Sequence, residues 1–129
     1  MLNAPAGPPR ILVVEDEVLI QMLAADYLAE LGLHAEIAGS AAEATKKLLG
    51  SDVRFEAAIV DMGLPDAKGN AVIEQLRAVD PHLAIVVASG EDEASIRERF
   101  KGDNSVIVLS KPYTMDQLRS ALRSIGLLD

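Results

Sequence analysis

Asp16, Asp61, Ser89 and Lys111 each lie at the end of an apolar run. The runs are Ile11-Leu12-Val13-Val14-Glu15, Ala57-Ala58-Ile59-Val60, Ile85-Val86-Val87-Ala88 and Val106-Ile107-Val108-Leu109-Ser110. Such runs read as strands buried on both faces of a parallel sheet. In an open α/β sheet, ligands bind just beyond the carboxyl ends of the strands. If the four runs share one sheet, two or three carboxylates, a hydroxyl and an ammonium meet on one rim. Carboxylates about 4 Å apart repel by roughly 1 kcal/mol in water and about 4 kcal/mol at an effective dielectric of 20. A cluster of Asp16, Asp61 and Glu15 therefore needs a counter-charge or a bound proton. Mg2+ suits it, as a hard cation that takes one or two carboxylates and a phosphoryl oxygen. Lys111 adds a mobile positive charge. Together these groups point to aspartyl-phosphate chemistry. Asp61 would attack a phosphoryl donor while Mg2+, Lys111 and Ser89 neutralise charge on the oxygens in transfer.

Each residue also has a plainer role open to it. Glu15-Asp16-Glu17 could be an acidic first turn favoured by a helix dipole. Ser89 could cap a helix starting near Glu91, and Lys111 could be a solvated surface lysine. Asp61 resists such a reading, because it opens a loop rich in Gly and Pro rather than a helix. The joint placement on four strand ends carries more weight than any one residue.

The elements that must hold these residues alternate five times. The first strand is about Ile11 to Val14. A helix follows with Ile20, Leu23, Ala24, Tyr27, Leu28 and Leu31 on one face, a core stripe stopped by Gly32. Leu33 to Ala38 is a short, weaker strand. Ser40 with Glu43 is a capping-box start for a helix ending near Gly50. Phe55 to Val60 is the third strand, and Met62 to Gly69 a loop. Val72, Ile73, Leu76 and Val79 mark a helix stopped before Pro81. Leu83 to Ala88 is the fourth strand, and Glu91 to Lys101 the least apolar helix. Val106 to Leu109 is the fifth strand. Thr114 with Gln117 is a second capping box, opening a helix with Leu118, Ala121, Leu122 and Ile125 inward and Gly126 at its end. Strands separated by helices imply an α/β fold with a parallel sheet and right-handed crossovers.

Composition narrows the function. With 129 residues, half of them hydrophobic, the chain can bury a real core. A net charge of −8 argues against unaided nucleic-acid binding. Absence of cysteine removes disulfides, zinc-thiolate sites and thiol catalysis. No apolar stretch reaches the roughly 18 residues of a membrane span, so no membrane insertion is expected. The Ala, Pro and Gly of residues 1–9 read as a flexible tail before one domain over 10–129, with no signal peptide and a cytoplasmic location expected. His34 and His82 have no ligand cluster around them and read as surface residues.

The pieces Ile11-Leu12-Val13-Val14-Glu15-Asp16-Glu17, Val60-Asp61-Met62-Gly63-Leu64-Pro65-Asp66, Ala88-Ser89-Gly90 and Lys111-Pro112-Tyr113 come in a specific order. In that order the chain resembles the receiver domain of two-component response regulators, from Ile11 to about Leu127. The resemblance implies a flavodoxin-like (βα)5 three-layer sandwich with strand order 2-1-3-4-5. It implies phosphoryl transfer to Asp61 from a sensor histidine kinase or a histidine phosphotransfer protein. By position, Asp16 and Asp61 would ligate Mg2+, Gly63 would contribute its carbonyl, and Glu15 would act directly or through water. Ser89 would be the switch hydroxyl, and Lys111 would contact the phosphoryl group before a cis bond to Pro112.

Three positions depart from the common family pattern. Glu15 replaces an Asp, a tolerated variation. Gly63 offers no side chain to manage the hydrolytic water. Val108 stands where most receivers carry an aromatic that turns inward when the hydroxyl moves. The chain is similar in this to an atypical subgroup, and signalling through the fourth helix and its flanking loops is expected instead. Tyr113 is a substitute handle or simple packing beside Pro112.

The expected function is a stand-alone receiver, a monomer or weak dimer, that is not a turnover enzyme and signals to a downstream protein. A kinase-binding adaptor or phosphate sink is the alternative. A dehalogenase-like phosphatase fits poorly, since those enzymes place Asp-x-Asp after the first strand, where this chain has Glu15-Asp16-Glu17. Neither a Gly-rich dinucleotide loop nor a P-loop is present.

Overall fold

Ten elements alternate along the chain in the computed structural model, which describes residues 8–50, 52, 54–67, 69–91, 93–102 and 106–128. They are β1 (Arg10–Val14), α1 (Val18–Glu30), β2 (His34–Ala38), α2 (Ala41–Gly50), β3 (Phe55–Asp61), α3 (Gly69–Val79), β4 (Ala84–Ser89), α4 (Glu93–Arg99), β5 (Val106–Ser110) and α5 (Met115–Ser124). The strands form one parallel sheet in the order β2-β1-β3-β4-β5. This is the flavodoxin-like order that the family resemblance implied. The tail expected over 1–9 lies outside the described residues as far as residue 7.

Alternating strand residues feed two cores. Leu12, Val14, Ala58, Val60, Ile85 and Val87 pack with Ala41 and Ala44 of α2, Val72 and Leu76 of α3, and Ile96 of α4. Ile11, Val13, Ala57, Ile59, Val86 and Ala88 pack with Ala24 and Leu28 of α1 and Leu118, Ala121 and Leu122 of α5. Three helices therefore cover one face and two the other. One register shift interrupts the pattern: Arg10 pairs with Phe55 but Ile11 pairs with Ala57. That bulge lets Phe55 join Ala58 and Val60 in the first core, under the Arg10 guanidinium at 4.9 Å.

Helix ends follow local chemistry. Gly32 takes φ +81°, and the Gly32 and Leu33 N–H groups donate to Ala29 and Leu28 carbonyls, a Schellman stop that buries Leu33 against Leu28. Gly126, at φ +85°, ends α5 the same way, with Leu127 N–H on Leu122 O at 3.0 Å. Thr114 and Gln117 form the expected capping box. At α2 the box is altered. Ser40 Oγ accepts from Glu43 N–H at 3.1 Å, but Glu43 reaches back to Gly39 N–H at 2.8 Å rather than to Ser40. The α1 stripe also differs from a pure core: Ala24 and Leu28 are buried, whereas Ile20 is half-buried.

Candidate functional site

The sheet register alone assembles the rim. Val14 lies beside Val60, Asp61 beside Ala88, and Ser89 beside Ser110. Glu15 is thus the next residue on β1 level with Asp61, and Lys111 the next after Ser110. Backbone bonds carry the ladder past the strand ends. Glu15 N–H donates to Ala38 O at 3.0 Å, Met62 N–H to Ala88 O at 3.0 Å, and Lys111 N–H to Ser89 O at 2.7 Å. The site therefore inherits the rigidity of the sheet.

Asp61, Glu15 and Ser89 are the polar residues buried here, at 5%, 3% and 3% exposure. The Lys111 ammonium lies 2.9 Å from Glu15 Oε1 and 3.2 Å from Asp61 Oδ1, with Glu17 Oε1 at 3.5 Å. Contacts with Glu15 and Asp61 outweigh burial and hold the lysine above its ordinary pKa, so it is cationic at neutral pH. Burial pushes the Glu15 carboxyl up, against the pull of Lys111 and the Glu17 N–H, and Asp61's charge adds to the rise. One lysine does not satisfy this much buried acid. Carboxylate oxygens of Glu15, Asp16 and Asp61 all lie within 4.8 Å of one another, with Asp16 exposed on the rim. This hard-oxygen set, with its excess of negative charge, fits Mg2+.

The remaining residues support the carboxylates. Gly63 N–H donates to Asp61 Oδ1 at 3.1 Å, which tucks the loop under the acceptor side chain. Glu17 N–H donates to Glu15 Oε2, and the Gln21 side-chain amide to Glu15 O. The Lys111–Pro112 bond is cis. Ser89 Oγ accepts from Glu91 N–H at 3.0 Å. This is a turn contact and no helix cap, since α4 begins at Glu93. Asp61, Ser89 and Lys111 open into one cleft of about 990 Å³, shared with Glu17, Glu91 and Arg99.

The sequence reading assigned no role to several neighbours. Asp66 accepts from the N–H groups of Ala41 and Ala42 at 2.9 and 3.1 Å, capping α2 from the loop after Asp61. Ile20, Asn70, Glu91 and Arg99 also line the cleft. Asp66 was visible only as part of a motif. A cap supplied from 25 positions away leaves no local signal. Tyr113 is core: its ring lies 6.4 Å from that of Tyr27. His34 and His82 are exposed, away from the cleft's lining residues. Among the described residues, no helix is long and apolar enough to cross a membrane.

Comparison with known proteins agrees with this geometry. The family model for the response regulator receiver domain matches residues 11–123. The response regulator MprA of Mycolicibacterium vanbaalenii is 30% identical over 118 residues, 92% of this chain and 50% of its own length. The sensor kinase CckA of Brucella abortus is 25% identical over 122 residues, 93% of this chain but 13% of its own length. The chain spans half or less of the length of these two relatives. Among solved structures, the Vibrio cholerae chemotaxis protein CheY4 superposes with a TM-score of 0.81 at 21% identity, covering 92% of this chain and 99% of that one. A response regulator receiver protein from Sinorhizobium medicae gives 0.78 at 25% identity, covering 92% and 94%. With the acidic rim, the parallel order of its strands and this match over most of its length, the chain belongs to the response regulator receiver domain family of two-component signalling.

Proposed function

We propose that this receiver accepts a phosphoryl group on Asp61 from a phosphohistidine of a sensor kinase or phosphotransfer protein, in an Mg2+-dependent step. The observation that carries the reading is the buried Asp61 carboxylate 3.2 Å from the Lys111 ammonium, in an acidic cluster open to a cleft. An Asp61 carboxylate oxygen attacks phosphorus. The bond from phosphorus to the donor's imidazole nitrogen breaks, its electron pair stays on that nitrogen, and a proton from solvent restores the imidazole. Lys111, fixed by Glu15, meets the negative charge that the phosphoryl group brings. The Ser89 hydroxyl offers a hydrogen bond to a phosphoryl oxygen. Gly63 N–H orients the attacking carboxylate. Glu15, Asp16, Asp61 and the Gly63 carbonyl would hold Mg2+, which when bound supplies positive charge to carboxylate and phosphoryl oxygens.

Receiver domains work with sensor kinases and phosphotransfer proteins, and one stretch of the CckA sensor kinase resembles this chain. The output here is protein–protein contact, without direct nucleic-acid binding or catalytic turnover, from a monomer or weak dimer in the cytoplasm. Val108 favours a second reading, a kinase-binding adaptor or phosphate sink with little phosphorylation-driven switching. Incubation with acetyl phosphate and Mg2+ tests the chemistry. One phosphate per chain, lost when EDTA is added beforehand, is expected. Continued hydrolysis of a phosphomonoester, many turnovers per chain, would contradict it and point to a phosphatase.

A further inference from the structure

A continuous line of contacts leads from the acceptor pocket to the far end of α4. Ser89 Oγ, buried in the cleft, accepts the Glu91 N–H at 3.0 Å. The Glu91 carboxylate is gripped by both terminal nitrogens of Arg99, at 3.1 and 3.3 Å. Such a fork-on-fork pair is directional as well as electrostatic. Arg99 is the last residue of α4, so the pair spans the whole helix from the loop before it to its end. Phe100 follows at once and packs on the same core cluster as Val108. It also lines a groove of about 420 Å³ with Ile73, Glu74 and Arg77 of α3. The strand position that lacks an aromatic thus shares its core with an aromatic supplied by the end of α4. Ile96 is the one fully buried side chain of this helix among the described residues.

We propose that Glu91 and Arg99 form a strap that carries the state of Ser89 to Phe100 and the α3–α4 groove, with Arg99 as a positioning residue. The inference rests on Asp61 being the phosphoryl acceptor. When the Ser89 side chain rotates to donate to a phosphoryl oxygen, its Oγ is displaced, and the Glu91 N–H follows it or loses its acceptor. The Glu91 carboxylate shifts with its backbone, and the bidentate grip transfers the shift to Arg99. Phe100 then changes its packing on the core cluster that Val108 also meets.

The chain contains no tryptophan, so Phe100→Trp creates a single fluorescent reporter. Beryllofluoride with Mg2+ serves as the phosphoryl mimic, and phosphate uptake from acetyl phosphate is measured on the same proteins. The expected result is an emission shift on adding the mimic, lost in Glu91→Gln and in Arg99→Gln. The reversed pair Glu91→Arg with Arg99→Glu is expected to restore at least half of it, which a merely structural role would not give. Amide exchange over residues 96–102 in the unlabelled parent checks that the reporter is faithful, and a mimic-induced change there is expected. Phosphate uptake with an undiminished shift in both Gln variants overturns the strap alone. No exchange change in the phosphorylated parent also overturns it. Absence of uptake in the parent overturns the acceptor reading and the strap with it.

Discussion

At the residue scale, Lys111 decides how the acid cluster behaves. Its ammonium contacts the largely buried Glu15 and Asp61 carboxylates, where charge contacts weigh more than in open water. Replacing it by Ala leaves both carboxylates facing one another and removes the fixed cation for the phosphoryl oxygens. Phosphate uptake by Lys111→Ala is expected to fall roughly 10²-fold, the usual loss when a preorganised charge-stabilising group is removed. Uptake rates from acetyl phosphate measure this. Tyr113 gives a second residue-scale prediction. Burial, followed by the charge of Glu15, pushes its hydroxyl up to about 12. A raised acid favours its neutral form in the fold. Its contribution is therefore full below the unfolded value of about 10 and is lost as pH rises through about 12. Tyrosinate absorbance should show a late phase near pH 12 that is missing in Tyr113→Phe. The rim residues were legible because strand ends present them in order: Asp61 and Ser89 directly follow an apolar run, and Lys111 follows one after Ser110. Their mutual distances were not, since these depend on a register that no single strand encodes.

At the scale of elements, two helix starts separate local from distant chemistry. The α5 capping box is written within four residues, Thr114 to Gln117, and was readable from sequence. Thr114→Ala is expected to cost about 1 kcal/mol in denaturant unfolding. The α2 start was only half readable. Ser40 serves Glu43 N–H, but Asp66 takes the Ala41 and Ala42 N–H groups from the loop after Asp61. Those two hydrogen bonds hold the Asp66 carboxyl below its ordinary value. A lowered acid contributes stability above its unfolded pKa and loses it as pH falls through the folded one. Amides of Ala41 and Ala42 should exchange faster in Asp66→Ala at neutral pH, and the difference should vanish in acid well below about 3.9. The same bonds fasten the loop after Asp61 to the start of α2. Ile20 shows the converse. Its helical spacing reads as core, but at the first turn of α1 it faces the cleft instead. Periodicity identifies a face, and only the position along the sheet tells whether that face meets core or rim.

At the scale of the whole molecule, the two cores and the five-stranded sheet form a stiff frame with its chemistry at one edge. Strand order was carried by the family resemblance. The residues themselves showed only alternation, which fits several parallel sheets. The bulge at Phe55 was hidden because it arises from pairing between strands, and the Glu91–Arg99 pair because it bridges the loop before α4 to the helix end, eight positions on. In a chain of net charge −8, the clustered carboxylates of Glu15, Asp16 and Asp61, two of them buried, suit a bound cation. The most direct test is phosphate mapping on the intact chain after incubation with acetyl phosphate and Mg2+. The parent should gain one alkali-labile phosphate located on Asp61, and Asp61→Asn should gain none. An equal, alkali-labile phosphate on Asp61→Asn would contradict the assignment of this rim as the acceptor site.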